Sequence, residues 1–311
     1  MKTLTEEQRK KYSSAIRHGF LTVENPRMHS FCGSWIRKHP GRVSTLVRLK
    51  EIVGHNPEWE DMTDDVLSDL KDDMREEMAP NSVRTICAEL KAVLNKNKST
   101  KPIKSGTFSD ILKTKKVPSQ NVYLTTAELK RVHLYKPKTE REAYVKAMFM
   151  RECLTGARSV DCRRFTMANI HTVDGQEYLT YVAQKHPIEV TVPVHKWLKG
   201  YLSDNWPETL RNARMDHLNR TLENICRNCG IVEMVTAYKA GVSSTKPKYK
   251  FIASHTGRRT FATILSLKGC PLDQIAIMMG HMSGNTPNVT MTAGYICARK
   301  KISKGVLAMF N

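Results

Sequence analysis

Apolar residues recur at helical spacing through much of the first hundred positions. In "WEDMTDDVLSDLKDDMREEM", Met62, Val66, Leu67 and Leu70 share a face, and Thr63 stands where an N-cap belongs, ahead of acidic residues. "APNSVRTICAELKAVLNKN" follows, with Pro80 near its start and Val83, Ile86, Cys87, Leu90, Val93 and Leu94 as one apolar stripe. Together with a helix around "STLVRLKEIVGH", these segments predict a small all-α bundle over residues 26–100, preceded by an extension at 1–25. The periodicity then fails. "NKNKSTKPIKSGTFSDILKTKKVPSQNV" mixes seven lysines with Ser, Thr, Gly and Pro, and Asp110 is its sole acid. Residues 101–120 therefore read as a basic linker with one short turn.

A second pattern starts at "YLTTAELKRV", where Thr125 or Thr126 can cap a helix whose first turn holds Glu128. "REAYVKAMFMRECLTGAR" reads as a mostly apolar helix stopped by Gly156. In "EYLTYVAQKHPIEVTVPV", β-branched and aromatic residues alternate on both sides of a Lys-His-Pro break, which predicts a β-hairpin with Lys185 at or beside its turn. Beyond it the chain reads as helical again, apart from a polar loop "KAGVSSTKPKYK". The fold class expected is mainly α: an N-terminal helical bundle, then an α-rich domain over 121–311 with a small antiparallel β-sheet.

Composition narrows the partners. The 50 Lys and Arg outnumber the 30 Asp and Glu, so the net charge is +20. Such an excess destabilises a compact state by self-repulsion unless a polyanion answers it, and nucleic acid is the leading candidate. The opening "MKTLTEEQRKKYSSAIRHGF" lacks the apolar stretch of a signal peptide, so a cytoplasmic, nucleoid-associated protein with eight reduced cysteines is expected. Cys226 and Cys229 alone have metal-like spacing, and even with His217 they fall short of four structural zinc ligands, so no metal or other cofactor is expected. No glycine-rich nucleotide loop is present.

The chemistry concentrates at "ASHTGRRTFATIL". His255 and Arg258 stand one helical turn apart at the start of an otherwise apolar helix. The unpaired N–H groups of a helix start favour an anion, and an arginine fork grips phosphate in a bidentate way. "LTGARSVDCRRF" supplies Arg158, with Asp161 placed to orient a guanidinium and Arg163 and Arg164 expected toward solvent or a DNA backbone. "MMGHMS" supplies His281, and "MTAGYICARKK" supplies Tyr295.

This ordered set (Thr-Gly-x-Arg, a hairpin lysine, His-x-x-Arg, Gly-His, then a tyrosine) resembles the tyrosine recombinase, or phage integrase, family. The resemblance covers about Tyr123 to the end as a catalytic domain and, more loosely, the helical bundle as a SAM-like core-binding domain. It implies that Tyr295 attacks a scissile DNA phosphate, leaving a 3′-phosphotyrosyl link and a free 5′-hydroxyl. Arg158 and Arg258 would clamp the non-bridging oxygens and His255 would move the proton at the tyrosine. His281 would donate to the phosphate, and Lys185 would protonate the leaving oxygen. One departure is length: Tyr295 follows His281 by fourteen positions, more than is usual in the family, through "MSGNTPNVTMTAG". Tyr238 and Tyr249 precede His255, on the wrong side in motif order.

The function expected is that of a site-specific recombinase of a mobile element that cleaves and rejoins duplex DNA. The alternatives are a catalytically silent DNA-binding protein of the same fold and a type IB topoisomerase-like enzyme. Partners expected are double-stranded DNA, further copies of the chain as dimer to tetramer, and accessory DNA-bending proteins. The apolar tail residues Val306, Leu307, Met309 and Phe310 are expected to pack on a neighbouring protomer. No separate arm-binding domain is expected within the short N-terminal extension.

Overall fold

The computed structural model describes residues 3–117, 121–202, 205–239 and 242–298; the apolar tail lies outside them. The chain folds as two compact units, Met1–Ser119 with Ala240–Val242, and Gln120–Lys239 with Ser243–Asn311. Among the described residues no helix is long and apolar enough to cross a membrane.

The first unit is helical: α1 (Glu6–Lys11), α2 (Ser13–Arg17), α3 (Phe31–Lys38), α4 (Val43–Val53), α5 (Asp64–Glu77), α6 (Pro80–Asn97) and the single turn α7 (Phe108–Ile111). Thr63 caps α5 by accepting from the Val66 N–H at 3.3 Å, and Pro80 opens α6. The six-residue apolar stripe predicted for α6 is buried along its whole length. Two segments differ from expectation. The predicted N-terminal extension contributes Leu4, Tyr12, Ala15, Phe20 and Leu21 to the core. Residues 101–117, expected as a linker, pack against the bundle through Phe108 and Leu112. Lys71 donates from Nζ to the carbonyls of Ile111 and Lys113, Lys91 donates to the Ser109 carbonyl at 2.8 Å, and Asn81 brackets Val117 through both its amide atoms. The reason is physical: two or three apolar side chains and a set of carbonyl acceptors suffice to dock a lysine-rich strand whose charges still reach solvent.

The second unit is built around α9 (Glu140–Thr155), every residue of which from Tyr144 onward is buried. Two of its buried charged residues, Lys146 and Arg151, are met there by backbone carbonyls. Lys146 donates to the carbonyls of His133 and Tyr135 at 2.7 and 2.6 Å, and Arg151 donates to those of Tyr201 and Cys162 at 2.8 Å each. Before it comes α8 (Thr126–Leu134), started by a Thr125–Glu128 capping box. After it come α10 (Ser159–Cys162) and the antiparallel sheet β1 (Ile170–Val173), β2 (Gln176–Val182) and β3 (Glu189–Pro193). The register pairs Leu179 with Val192 and Tyr181 with Val190, which puts these four on the buried face. Lys185 lies in the bend between β2 and β3, as the alternation predicts.

The unit continues with α11 (Glu208–Arg211) and α12 (Met215–Asn228), then β4 (Met234–Lys239) and β5 (Val242–Pro247). That two-stranded ribbon takes in half of the segment expected as a polar loop. Last come α13 (Ser254–Leu267), α14 (Leu272–Met278), β6 (Met282–Ser283), β7 (Thr286–Pro287) and α15 (Val289–Ala293). Helix α13 lies closely on α9 because Gly257 has no side chain: a Cβ there would meet the Glu152 Cβ at 2.6 Å.

Candidate active site

Three chain reversals bring the predicted residues together. Helix α9 ends at Gly156, in the left-handed region at φ +66, and the chain passes through Ala157 to Arg158, the residue before α10. Helix α13 presents His255 and Arg258 from its first two turns. Helix α14 ends at Met279, and Gly280, at φ +63, turns the chain into His281. The long stretch from His281 to Tyr295 folds as the small β6–β7 hairpin, closed where the Asn288 N–H donates to the His281 carbonyl at 2.7 Å, followed by α15. This path leaves the Tyr295 ring beside His281, tilted at 42° with ring centroids 4.9 Å apart.

Arg258 is the floor of this cluster, only 1% exposed. Its guanidinium donates to the Gly156 carbonyl, to the Met279 carbonyl at 3.2 Å and to His281 Nε2 at 2.8 Å. Its Cζ lies 5.4 Å from the Tyr295 ring centroid. Above it, the exposed His255 brings Nε2 to 3.2 Å from the Tyr295 hydroxyl. Thr263 holds the Tyr295 end of the chain, donating to the Tyr295 carbonyl at 3.4 Å and accepting from the Cys297 N–H at 3.0 Å. Arg158 is half-buried and Lys185 exposed; among the described residues neither side chain makes a hydrogen bond or ion pair. Both are near enough for their charge to act on His255.

Electrostatics follow from this crowding of cations. Desolvation first, then the charges of Arg258, Arg259, Arg158 and Lys185, push His255 down to about 4. His281, buried and beside Arg258 and Arg158, is pushed down to about 3. Both imidazoles are therefore neutral at pH 7. Glu152, buried on α9 beneath the site, is pushed up to about 8 by burial, although hydrogen bonds from Ser254 and Ser159 and the charge of Arg258 pull the other way. A neutral carboxyl there does not cancel the arginines. The result is a concentration of positive charge around the Tyr295 hydroxyl, anchored on a fixed guanidinium and suited to an anion.

Several supports differ from expectation. Asp161 does not hold Arg158; it accepts from Arg164 at 2.9 Å and from the Gln184 N–H at 2.9 Å. It thereby ties the α10 turn to the bend that carries Lys185. Arg164 faces solvent as expected but also donates to the Val182 carbonyl at 2.9 Å, and the half-buried Arg163 donates to the carbonyls of Arg211 and Ala213, so both are tethered at their guanidinium ends. The start of α13 is less open than its sequence implies, because the Ser254 N–H donates to Asn219 at 3.0 Å and its hydroxyl to Glu152 at 2.7 Å. Asn219 and Glu152 carry no motif signal of their own. His217 pairs with Asp216 at 3.7 Å, and among the described residues no three His, Cys, Asp or Glu are grouped to hold a metal ion.

A tyrosine hydroxyl met by a neutral histidine over buried and half-buried arginines defines a site for nucleophilic chemistry on an anionic ester. The sequence of residues 122–297 matches the model of the phage integrase family; the chain belongs to that family, the tyrosine recombinases. No curated protein sequence matches the chain. Among solved structures, it is similar to the Tn1549 transposon integrase in complex with a circular intermediate DNA, at TM-score 0.58 and 14% identity over 97% of this chain and 98% of that one. It is similar also to a lambda integrase dimer bound to a COC′ core site, at TM-score 0.57 and 16% identity over 87% and 97%. A third is the XerH site-specific recombinase bound to its difH substrate, at TM-score 0.56 and 13% identity over 84% and 76%. At these identities the likeness is one of fold, and it agrees with the mainly α architecture expected.

Proposed function

We propose that the chain is an active site-specific recombinase of a mobile element, which cleaves and rejoins duplex DNA through a phosphotyrosine. The observation that carries this reading is the 3.2 Å approach of His255 Nε2 to the Tyr295 hydroxyl directly over Arg258. A neutral imidazole at that distance can take the phenolic proton as the oxygen attacks phosphorus. Arg158 and Arg258 would then stabilise the charge that builds on the non-bridging oxygens, with His281 holding Arg258 in place rather than donating to the phosphate as the resemblance implies. Lys185 would return a proton to the departing 5′-oxygen from the exposed bend between β2 and β3. Bond energy stays in the tyrosyl ester, so the 5′-hydroxyl can reverse the step without a nucleotide.

The net charge of +20 supports a duplex as the partner. Strand exchange joins ends from two duplexes, so the proposal includes assembly of two to four copies on DNA; a lambda integrase tetramer bound to a Holliday junction has a similar fold. The test is incubation with a nicked duplex carrying the element's junction sequence, then denaturing electrophoresis. The wild type is expected to leave a covalent adduct that Tyr295→Phe abolishes while DNA affinity is retained. Binding without any adduct would make the chain a silent binder. Relaxation of supercoiled DNA that lacks the junction would make it a topoisomerase.

A further inference from the structure

His281 is almost fully enclosed, and its two ring nitrogens have fixed and unequal partners. Nε2 lies 2.8 Å from an Arg258 nitrogen, and a guanidinium only donates. Nε2 must therefore present its lone pair. The ring, held neutral by burial and by the neighbouring arginines, then carries its one proton on Nδ1, 3.0 Å from Thr292 Oγ1. Thr292 Oγ1 is in turn 3.0 Å from the Asn288 carbonyl, which only accepts. The threonine proton goes there, leaving its lone pair for the histidine. Every link has a single direction: Arg258 donates to His281, His281 to Thr292, and Thr292 to Asn288.

Thr292 is itself fully buried. It lies three residues before Tyr295, and its carbonyl accepts the Tyr295 N–H at 2.9 Å. We infer that Thr292 is a positioning residue of the active site, whose hydroxyl fixes the Nδ1–H form of His281 and turns the Nε2 lone pair onto Arg258. The choice of proton position matters because the other form would aim an N–H at the guanidinium, leaving two donors opposed in a buried place. The Arg258 fork would then lose one of the contacts that set its plane beneath the Tyr295 ring. Loop β6–β7 and α15 also gain a tie to the site through this hydroxyl, so the residue joins the helix that leads into Tyr295 to the floor of the cluster.

The role in cleavage rests on the recombinase reading, but the proton position does not. The first arm is therefore 15N NMR of the histidine rings in the DNA-free full chain at pH 7. The wild type is expected to show His281 protonated at Nδ1; protonation at Nε2 overturns the inference whatever the activity. Thr292→Val keeps the shape and removes the hydroxyl, and Thr292→Ser restores it. The valine variant is expected to lose the single Nδ1–H signature and to form adduct about 10²-fold more slowly at unchanged DNA affinity, with serine restoring both. A valine variant that keeps tautomer and rate, or a serine variant as impaired as valine, overturns it. If the wild type itself forms no adduct, the recombinase reading fails while the NMR arm still decides what Thr292 does.

Discussion

Gly156→Ala tests whether the end of α9 is the hinge on which the candidate site depends. Two costs are legible at this position. Gly156 sits at φ +66, where an L-residue pays about 1–2 kcal/mol. A Cβ would also stand 2.4 Å from Phe261 Cδ1 and 2.8 Å from Cε1, a buried ring of the core. Overpacking of this kind costs about 1–3 kcal/mol. A combined cost of about 3 kcal/mol lowers the Tm of a unit this size by about 6–12 °C. The control is Gly175→Ala in the β1–β2 turn of the same unit, at φ +77 with nothing within 4 Å; it should pay the backbone cost alone. Thermal unfolding by circular dichroism reads both. Phe261→Leu in the Gly156→Ala background should give back at least about 1 kcal/mol of non-additive stability. If Gly156→Ala costs no more than Gly175→Ala, or if Phe261→Leu recovers nothing, the close contact between the end of α9 and α13 does not constrain the fold.

Two further outcomes follow from buried charge, beside the adduct and NMR experiments above. His281 is lowered from 6.5 to about 3 in the folded chain, so below pH 6.5 the unfolded chain binds a proton that the fold refuses, and stability falls as pH falls. Glu152, raised from 4.5 to about 8, acts with the opposite sign between those values, so the effect is read as a difference. Relative to His281→Gln, the wild type should lose about 1.4 kcal/mol per pH unit below 6.5 in denaturant titrations; parallel pH profiles would contradict this. Lys248 donates to Glu128 at 2.7 Å, with both side chains 7% exposed. Lys248→Met should cost about 3–5 kcal/mol and Lys248→Met with Glu128→Gln much less, whereas equal losses would mean that the stranded carboxylate is not the cause.

Legibility in the sequence tracked the range of the interaction. The caps at Thr63 and Thr125, the stripe of α6 and the alternation of β2 and β3 are set by residues three or four apart, or by neighbours across a short bend, and they were readable. So was the order of the motif residues, four of which (His255, Arg258, His281 and Tyr295) meet in one cluster. Residues 101–117 give little sign of packing because their helical spacing, Phe108, Ile111 and Leu112, lasts a single turn among lysines. The β4–β5 ribbon was missed because Ser, Thr, Gly and Lys mask its alternation. The Asp161–Arg164 pair is local, three residues apart, but the other partners of Asp161, Arg163, Arg164 and Glu152 lie on other elements, up to 102 positions away, where spacing carries no information.

The β6–β7 hairpin separates two things that a sequence reader tends to equate. Its ends are stapled at His281 and Asn288, so whatever number of residues is threaded between them, the chain re-enters α15 from the same place. Distance along the polypeptide is thus decoupled from distance in space at the very point where Tyr295 is delivered to the cluster. A pattern demanding a set interval between the second histidine and the tyrosine would pass this chain over, whereas one that allows a tight turn in that interval would recover it.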